Sequence, residues 1–531
     1  MTPHDRPPGR RAGVQAPLFS LASSESWGIG EIGDLVTLFD WLGSAGQRLL
    51  QLLPVHELAP GEVSPYTALS AMAIDPQYVT LGELEDFHDI GGEEALETPL
   101  RAALAEVRAS ARVDYSAVRA LKDVALRRAF AHFEEQHWRI GTARAGALRA
   151  YIADEGWWLD DYALFRALRA ELGERPWPEW PSPLRDRLPL ALNAARERLA
   201  RDVLFRQYVQ WVVGTEWRAM REGAVDVALF GDLPFMVSPD SADVWARQAE
   251  FRMDTSIGAP PDAFSDTGQD WRMPAYRWSV VAAGGFSWLR DRGRRAAALY
   301  DGYRVDHVVG FYRTYYRAAG RDEGAFTPTD EREQVALGER VLALLSRPGV
   351  TLIAEDLGLV PDFVRDSLAR LEVPGYKVLR WERVRQIEGQ PFHDPRAYPA
   401  ASVATTGTHD TEPIVVWWHT APHAEREAAL AIPAVAERLS PNERTSAAAD
   451  DTLSAHTREA LLWALYASGS DTLILPIQDL FGWADRVNRP GTIDDGNWTW
   501  RMPWRVDRLL AEPEARNRAS VLRTWCDDSG R

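Results

Sequence analysis

The chain has one cysteine, Cys526, in 531 residues. That excludes an intrachain disulfide and a zinc site built on thiolates, and it argues against a catalytic thiol. Only two of the 60 basic residues are lysine, Lys122 and Lys377. Neither follows a glycine in a phosphate-binding Gly-Lys loop, and only these two are candidates for Schiff-base chemistry. Positive charge is outweighed throughout, with a net charge of −17. Nucleic acid and an anionic membrane surface are therefore not expected partners. No segment approaches the roughly 20 apolar residues of a membrane span. No Gly-rich dinucleotide loop follows the first strand-like stretch, no D-x-D-x-D-G calcium loop is present, and there is no repeat or heptad. No organic cofactor is expected and no metal ligand is assigned; acidic loops leave calcium conceivable, without the signature of a calcium loop. The first 17 residues carry arginines and prolines but lack the roughly 7–15 apolar residues of a signal peptide. They read as a flexible, untargeted arm over 1–17, and the composition fits a reducing, cytoplasmic compartment.

What is present is a large core and many indoles. The chain is 46% hydrophobic and has 22 tryptophans. Most large aromatics in a chain of this size fill the core, although indole faces also stack on the C–H faces of sugars. Eight short apolar or extended stretches stand out. They are QRLLQLLP (47–54), PQYVTL (76–81), VDVALFGDLP (225–234), GYRVDH (302–307), VTLIAED (350–356), GYKVLRW (375–381), ASVATTG (401–407) and DTLILPI (471–477). Helix-patterned segments lie between most of them. In DFVRDSLARL (362–371), Phe363, Val364, Leu368 and Leu371 share one face. Strands alternating with helices imply parallel βα units, and eight of them predict an α/β fold, a (β/α)8 TIM barrel. The reading is a single barrel over 18–531 with inserted subdomains near 82–224 and 235–300, and no C-terminal β-domain. An open doubly wound sheet is the weaker alternative.

Charge sits at the ends of these strands. Asp232, Arg304, Asp306, Glu355, Asp356, His409 and Asp410 all fall at or just past the last residues of their stretches. In a barrel those ends form the active-site face. Arg304 and Asp306 are two residues apart, so on a strand they point the same way. A neighbouring guanidinium favours the ionised carboxylate, which fits a nucleophile but equally a structural ion pair. Retaining glycosidases hold two carboxyls about 5–5.5 Å apart. Asp306 and Glu355, at the ends of adjacent strands, fit that spacing. Alternation alone leaves Glu355 and Asp356 interchangeable.

In order along the chain come WGIGEIGDL, SPYTALSAMAIDPQYVTL, GDLPFMVSPDSADVWA, PPDAFSDTGQDW, GYRVDH, LIAEDLG, PGYKVL, TGTHDT and RVNRPGTIDDGNWTWR. Together they resemble the 4-α-glucanotransferases, or amylomaltases, of glycoside hydrolase family 77 in the α-amylase clan, from about residue 18 to residue 505. The resemblance implies a retaining transfer of α-1,4-glucan segments from a donor maltooligosaccharide to the 4-hydroxyl of an acceptor glucan or glucose. It implies Asp306 as nucleophile, Glu355 as general acid/base and Asp410 as the third carboxylate. It implies substrate contacts for Tyr66, Asp232, Arg304 and His409, and a loop over the glucan groove carrying Gln269 and Trp271. Asn497, Trp498 and Arg501 match the closing signature and are assigned mainly to structure. The expected partners are maltooligosaccharides, α-1,4-glucans and glucose. Arg272 departs from the glycine usual after the loop tryptophan, Val309 from an arginine, and Glu412 and Pro413 from smaller polar residues. A hydrolase of the same clan and an inactive glucan-binding barrel are the competing readings.

Overall fold

The computed structural model describes residues 9–224, 226–261, 268–318, 323–384, 386–492 and 494–531. Eight parallel strands close into one barrel in chain order. They are β1 (Arg11–Gln15), β2 (Leu49–Gln51), β3 (Ala228–Leu233), β4 (Gly302–Val305), β5 (Thr351–Ala354), β6 (Gly375–Val378), β7 (Ser402–Thr405) and β8 (Thr472–Pro476). The closed barrel excludes the open sheet and bears out the (β/α)8 reading.

Two assignments need correction. PQYVTL is not a strand: Pro76–Tyr78 is a 3-10 turn, opened by the Asp75 side chain accepting from the Gln77 amide and by proline at its first position. The missing strand lies inside the supposed arm. Residues 11–15 pair with β8 on one side and β2 on the other, so the arm reading fails for them; residues 1–8 lie outside the described residues. RAGVQ has one β-branched residue and little alternation, so the strand is made by its two neighbours rather than by local propensity.

Alternation sorts the barrel wall into two faces. Leu49, Phe230, Ile353, Tyr376, Val378, Val403 and Ile474 pack together as the barrel interior. Leu229, Tyr303, Val305 and Ala354 belong to the larger core outside it. Inward positions on β4 are therefore Gly302, Arg304 and, one step past the strand, Asp306. Gly302 is small for a reason: a Cβ there would sit 2.4 Å from Cζ of Phe230. On β3 the same face carries Phe230 and then Asp232, and on β5 it carries Ile353 and then Glu355. An apolar floor thus turns into a charged mouth within two residues on three adjacent strands.

Between β2 and β3 the chain inserts helices, the longest being Tyr115–Phe133, Ala143–Glu171 and Ala200–Gly223. The excursion 235–300 ends in the helix Ser287–Leu299. Its middle builds part of a four-stranded sheet at the mouth. There Thr255–Ala259 pairs with Gln269–Asp270 and also with Thr314–Ala318 from the loop after β4. The chain closes on the helix Pro513–Ser529. Among the described residues, no helix is long and apolar enough to cross a membrane.

A chain shortened to begin at Pro17 loses both pairings of β1 and leaves β2 and β8 with open edges. We expect it to lose cooperative thermal unfolding by calorimetry. A sharp transition near that of the full chain would show β1 to be dispensable.

Candidate active site

Arg304 is the centre of the site and is 4% exposed. Its Nη1 donates to both oxygens of Asp232, at 2.9 and 2.7 Å. Its Nη2 lies 2.8 Å from Oδ1 of Asp306. Register makes this possible, since Asp232 and Arg304 are direct partners across β3 and β4. Burial alone would weaken the guanidinium, but Asp232 and Asp306 outweigh it and hold the group charged. Asp232 is fully covered and also accepts from the Tyr66 hydroxyl at 2.7 Å.

Glu355 and Asp356 are now distinguishable. The Asp356 carboxylate accepts from the Tyr376 amide at 2.8 Å and lies over Gly375, between β5 and β6. Glu355 turns inward and accepts from the His307 amide at 2.8 Å and the Leu357 amide at 3.2 Å. His307 directly follows Asp306, so one peptide bond links the two carboxyl groups. His307 has φ of 43°, in the left-handed region, which costs of order 1 kcal/mol or more and recurs at functional sites. Burial pushes the Glu355 carboxyl up to about 7; Arg304 pulls it down and Asp306 adds to the rise. Burial also lowers His307, to about 4, so this imidazole is neutral near pH 7.

The third carboxyl comes from the loop after β7. Burial would raise Asp410, but His409, Asn488 and Arg304 more than offset it and hold the carboxyl well below the usual range. Asn488 donates to Oδ1 at 2.7 Å, His409 Nε2 lies 3.4 Å from Oδ2, and Arg486 donates to the Asp410 carbonyl at 2.7 Å. His409 Nε2 is also 3.0 Å from the Tyr66 hydroxyl, and the two rings stack at 5.4 Å. Tyr66 and His409 thereby join Asp410 to the Asp232–Arg304–Asp306 chain.

Trp271 meets the His307 ring edge to face at 4.7 Å. Its indole N–H donates to the exposed Gln269 at 2.9 Å. Residues 262–267 of the PPDAFSDTGQDW motif lie outside the described residues. Arg272 has φ of 56°, a conformation in which glycine is relaxed, and its amide donates to Asp270 at 2.8 Å. Glu412 has a partner as well: it accepts from the buried Arg380 at 2.7 Å and lies 3.5 Å from Arg486.

The sequence reading missed three contributors. Asn488 sits in RVNRP, whose only signal was its place in a motif. The His307 amide carries no side-chain signal at all. Trp498 stood with the structural signature, and its carbonyl does accept from Tyr115. Its ring also backs the site, 5.7 Å from both Tyr66 and His409. Asn497 and Arg501 bond to neighbouring backbone, at Arg489 and Thr492 and at Val107 and Ser110.

The arrangement is one barrel mouth with three carboxyls in different states: Asp306 held by a guanidinium, Glu355 near neutrality, and Asp410 firmly ionised. Known proteins match along almost the whole length. A family model described as 4-alpha-glucanotransferase matches residues 16–507. The 4-alpha-glucanotransferase of Thermus thermophilus is 34% identical over 518 residues, covering 93% of this chain and 96% of its own. That of Chlamydia trachomatis is 30% identical, covering 96% and 94%. Among solved structures, the amylomaltase from Streptococcus agalactiae in complex with acarbose aligns with a TM-score of 0.81 and 27% identity, over 98% of this chain and 99% of that one. The chain belongs to the 4-alpha-glucanotransferase family, glycoside hydrolase family 77.

Proposed function

We propose that Asp306, Glu355 and Asp410 carry the 4-α-glucan transfer of this enzyme by a double displacement that retains configuration twice. In the first half, Glu355 gives its proton to the glycosidic oxygen while the Asp306 carboxylate forms a bond to the anomeric carbon. The reducing-end fragment leaves with that proton. In the second half, the Glu355 carboxylate takes the proton from the 4-hydroxyl of an acceptor glucan. The acceptor oxygen then bonds the anomeric carbon and releases Asp306. Asp410, ionised throughout, binds sugar hydroxyls and favours the positive charge that develops on the ring. Asp232 has no exposed surface, so its part is to position Arg304 and Tyr66 rather than to touch the sugar.

One observation carries this reading. Arg304 holds Oδ1 of Asp306, while burial sets the next carboxyl, Glu355, near 7. Two acids of one kind are thereby given unlike surroundings, a guanidinium at Asp306 and burial at Glu355, and the buried one is suited to hold the proton. Trp271 packs on His307, next to the proposed nucleophile, and is hydrogen-bonded to Gln269; there the two would seat the acceptor and screen the intermediate from water. Maltooligosaccharides and glucose fit as donor and acceptor. A reducing, cytoplasmic setting accords with a lone thiol that is buried.

Maltotriose incubated with the enzyme should yield glucose together with longer oligomers by chromatography. Only shorter products would instead mark a hydrolase. Asp306→Asn should lower transfer on the order of 10⁴-fold, and full activity in that variant would remove it from the nucleophile role.

The Glu355 carboxyl must be protonated to act, so kcat/KM should fall as pH rises through about 7. The same shift bears on stability. A carboxyl whose pKa is higher when folded contributes stability that is complete below its unfolded pKa and lost as pH rises through its folded one. Glu355→Gln should therefore raise the melting temperature relative to the parent at pH 8, and by much less at pH 4.5. Equal differences at both values would refute a raised pKa.

Trp271→Ala should raise the share of hydrolysis several-fold, read as free reducing ends against transfer products. An unchanged ratio would remove Trp271 from acceptor binding.

A further inference from the structure

Outside the barrel mouth, in the helical insertion between β2 and β3, a second group of side chains has no part in the reaction. The helix Tyr115–Phe133 runs directly into a π turn, Glu134–Trp138, with the Arg139 amide reaching back to the Glu134 carbonyl at 3.1 Å. The wider turn has a consequence for His132 and His137. Five residues apart on a regular α-helix, they would diverge by about 140°. The extra residue in the turn brings them round to one side, and their rings lie 6.3 Å apart.

Facing them is Asp86, on the short helix Glu85–His88, with no exposed surface. Its Oδ2 accepts from the Tyr208 hydroxyl at 2.8 Å and pairs with Arg144. Its Oδ1 has no hydrogen-bond partner among the described residues, a condition native interiors generally avoid. That orphaned oxygen lies 3.8 Å from Nε2 of His137. The other nitrogen of His137, Nδ1, is 3.0 Å from the Thr142 hydroxyl. A hydrogen bond at one imidazole nitrogen orients the ring and frees the other to ligate. One donor atom from each of Asp86, His132 and His137 lies within 4.8 Å of the others. Asp89 stands at the rim, with Oδ2 3.5 Å from Nε2 of His132. The nearby positive charge is Arg144, which is itself paired with Glu85.

We propose that Asp86, His132 and His137 form a binding site for a zinc-class transition-metal cation that clamps the Glu85–His88 helix to the π turn. Two imidazoles and one carboxylate suit zinc, nickel or copper and not calcium or magnesium, which take oxygen ligands. A tetrahedral zinc at about 2.0–2.1 Å from each ligand needs donors roughly 3.4 Å apart. The closure required is ~1.5 Å at most, within the reach of imidazole rotation. Asp89 or a water completes the tetrahedron. The role is structural, since none of these groups faces the barrel mouth.

The test uses the full chain, stripped with chelator, titrated with Zn²⁺ by calorimetry and with Co²⁺ by visible absorption at pH 7.5. The expected result is one ion per chain at micromolar affinity or tighter, the strong bands of tetrahedral cobalt, and a melting temperature raised by zinc. His132→Ala and His137→Ala should each weaken binding about tenfold or more and leave maltotriose disproportionation within about twofold. Both histidines are partly exposed, so these variants should fold; the cobalt spectrum of the unmutated chain tests imidazole ligation if they do not. An unmutated chain that binds no ion, or shows an octahedral cobalt spectrum, overturns the proposal. So do variants that bind as tightly as the parent, which would assign the ion to other histidines.

Discussion

A single guanidinium organises the polar mouth of this barrel. Arg304 is buried in the wall of a closed barrel and serves two carboxylates at once, Asp232 on the neighbouring strand and Asp306 two residues along its own. A buried charge must be paired and hydrogen-bonded to persist. Arg304 pairs Asp232 through one terminal nitrogen and Asp306 through the other. Arginine suits this place better than lysine because its planar fork offers donors in fixed directions. A strand that places Arg304 and Asp306 on one face is therefore intelligible: with Asp232, the half-buried Asp306 makes the burial of Arg304 tolerable. The remaining polar groups of the mouth, from Tyr66 to His409 and Asp410, extend outward from that pair.

The differences among the carboxyls of the mouth follow from backbone as much as from side chains. Glu355 and Asp306 end neighbouring strands and are bridged by the His307 amide. To offer that amide, His307 adopts a left-handed conformation, and the packing of its ring against Phe235 and Trp271 holds it there. Strain at one residue thus aims a donor at the proposed acid and brings an aromatic wall to the proposed nucleophile. Asp410 is treated differently: an amide, an imidazole and a nearby guanidinium keep it ionised. The barrel presents three similar groups, and their surroundings make them unlike.

Much of this was legible in the sequence because strand ends in a βα fold are chemically conspicuous. Seven of the eight strands coincide with β-rich stretches, and the charged residues at their ends converge. What escaped the sequence did so for identifiable reasons. The strand Arg11–Gln15 has weak propensity and owes its form to two partners that lie far from each other in the sequence, β2 and β8. PQYVTL has the composition of a strand, but Asp75 and Pro76 commit it to a turn. Glu355 could not be told from Asp356 until the inward position of Ile353 fixed the phase of β5. Asn488 and the His307 amide are invisible to composition, because a lone asparagine and a peptide bond gain meaning only from what they touch. The glycine usual at Arg272 has a physical reason, since that residue occupies a left-handed turn.

The four-stranded sheet over the mouth has a mechanical consequence. Ser256 and Ile257, from the excursion after β3, are registered against Arg317 and Tyr316, from the loop after β4. Backbone hydrogen bonds between them would have to break for either loop to swing alone. The segment bearing Trp271 is thereby tied through the backbone to the loop after β4, so the cover of the mouth is one stitched unit made from two separate stretches of chain.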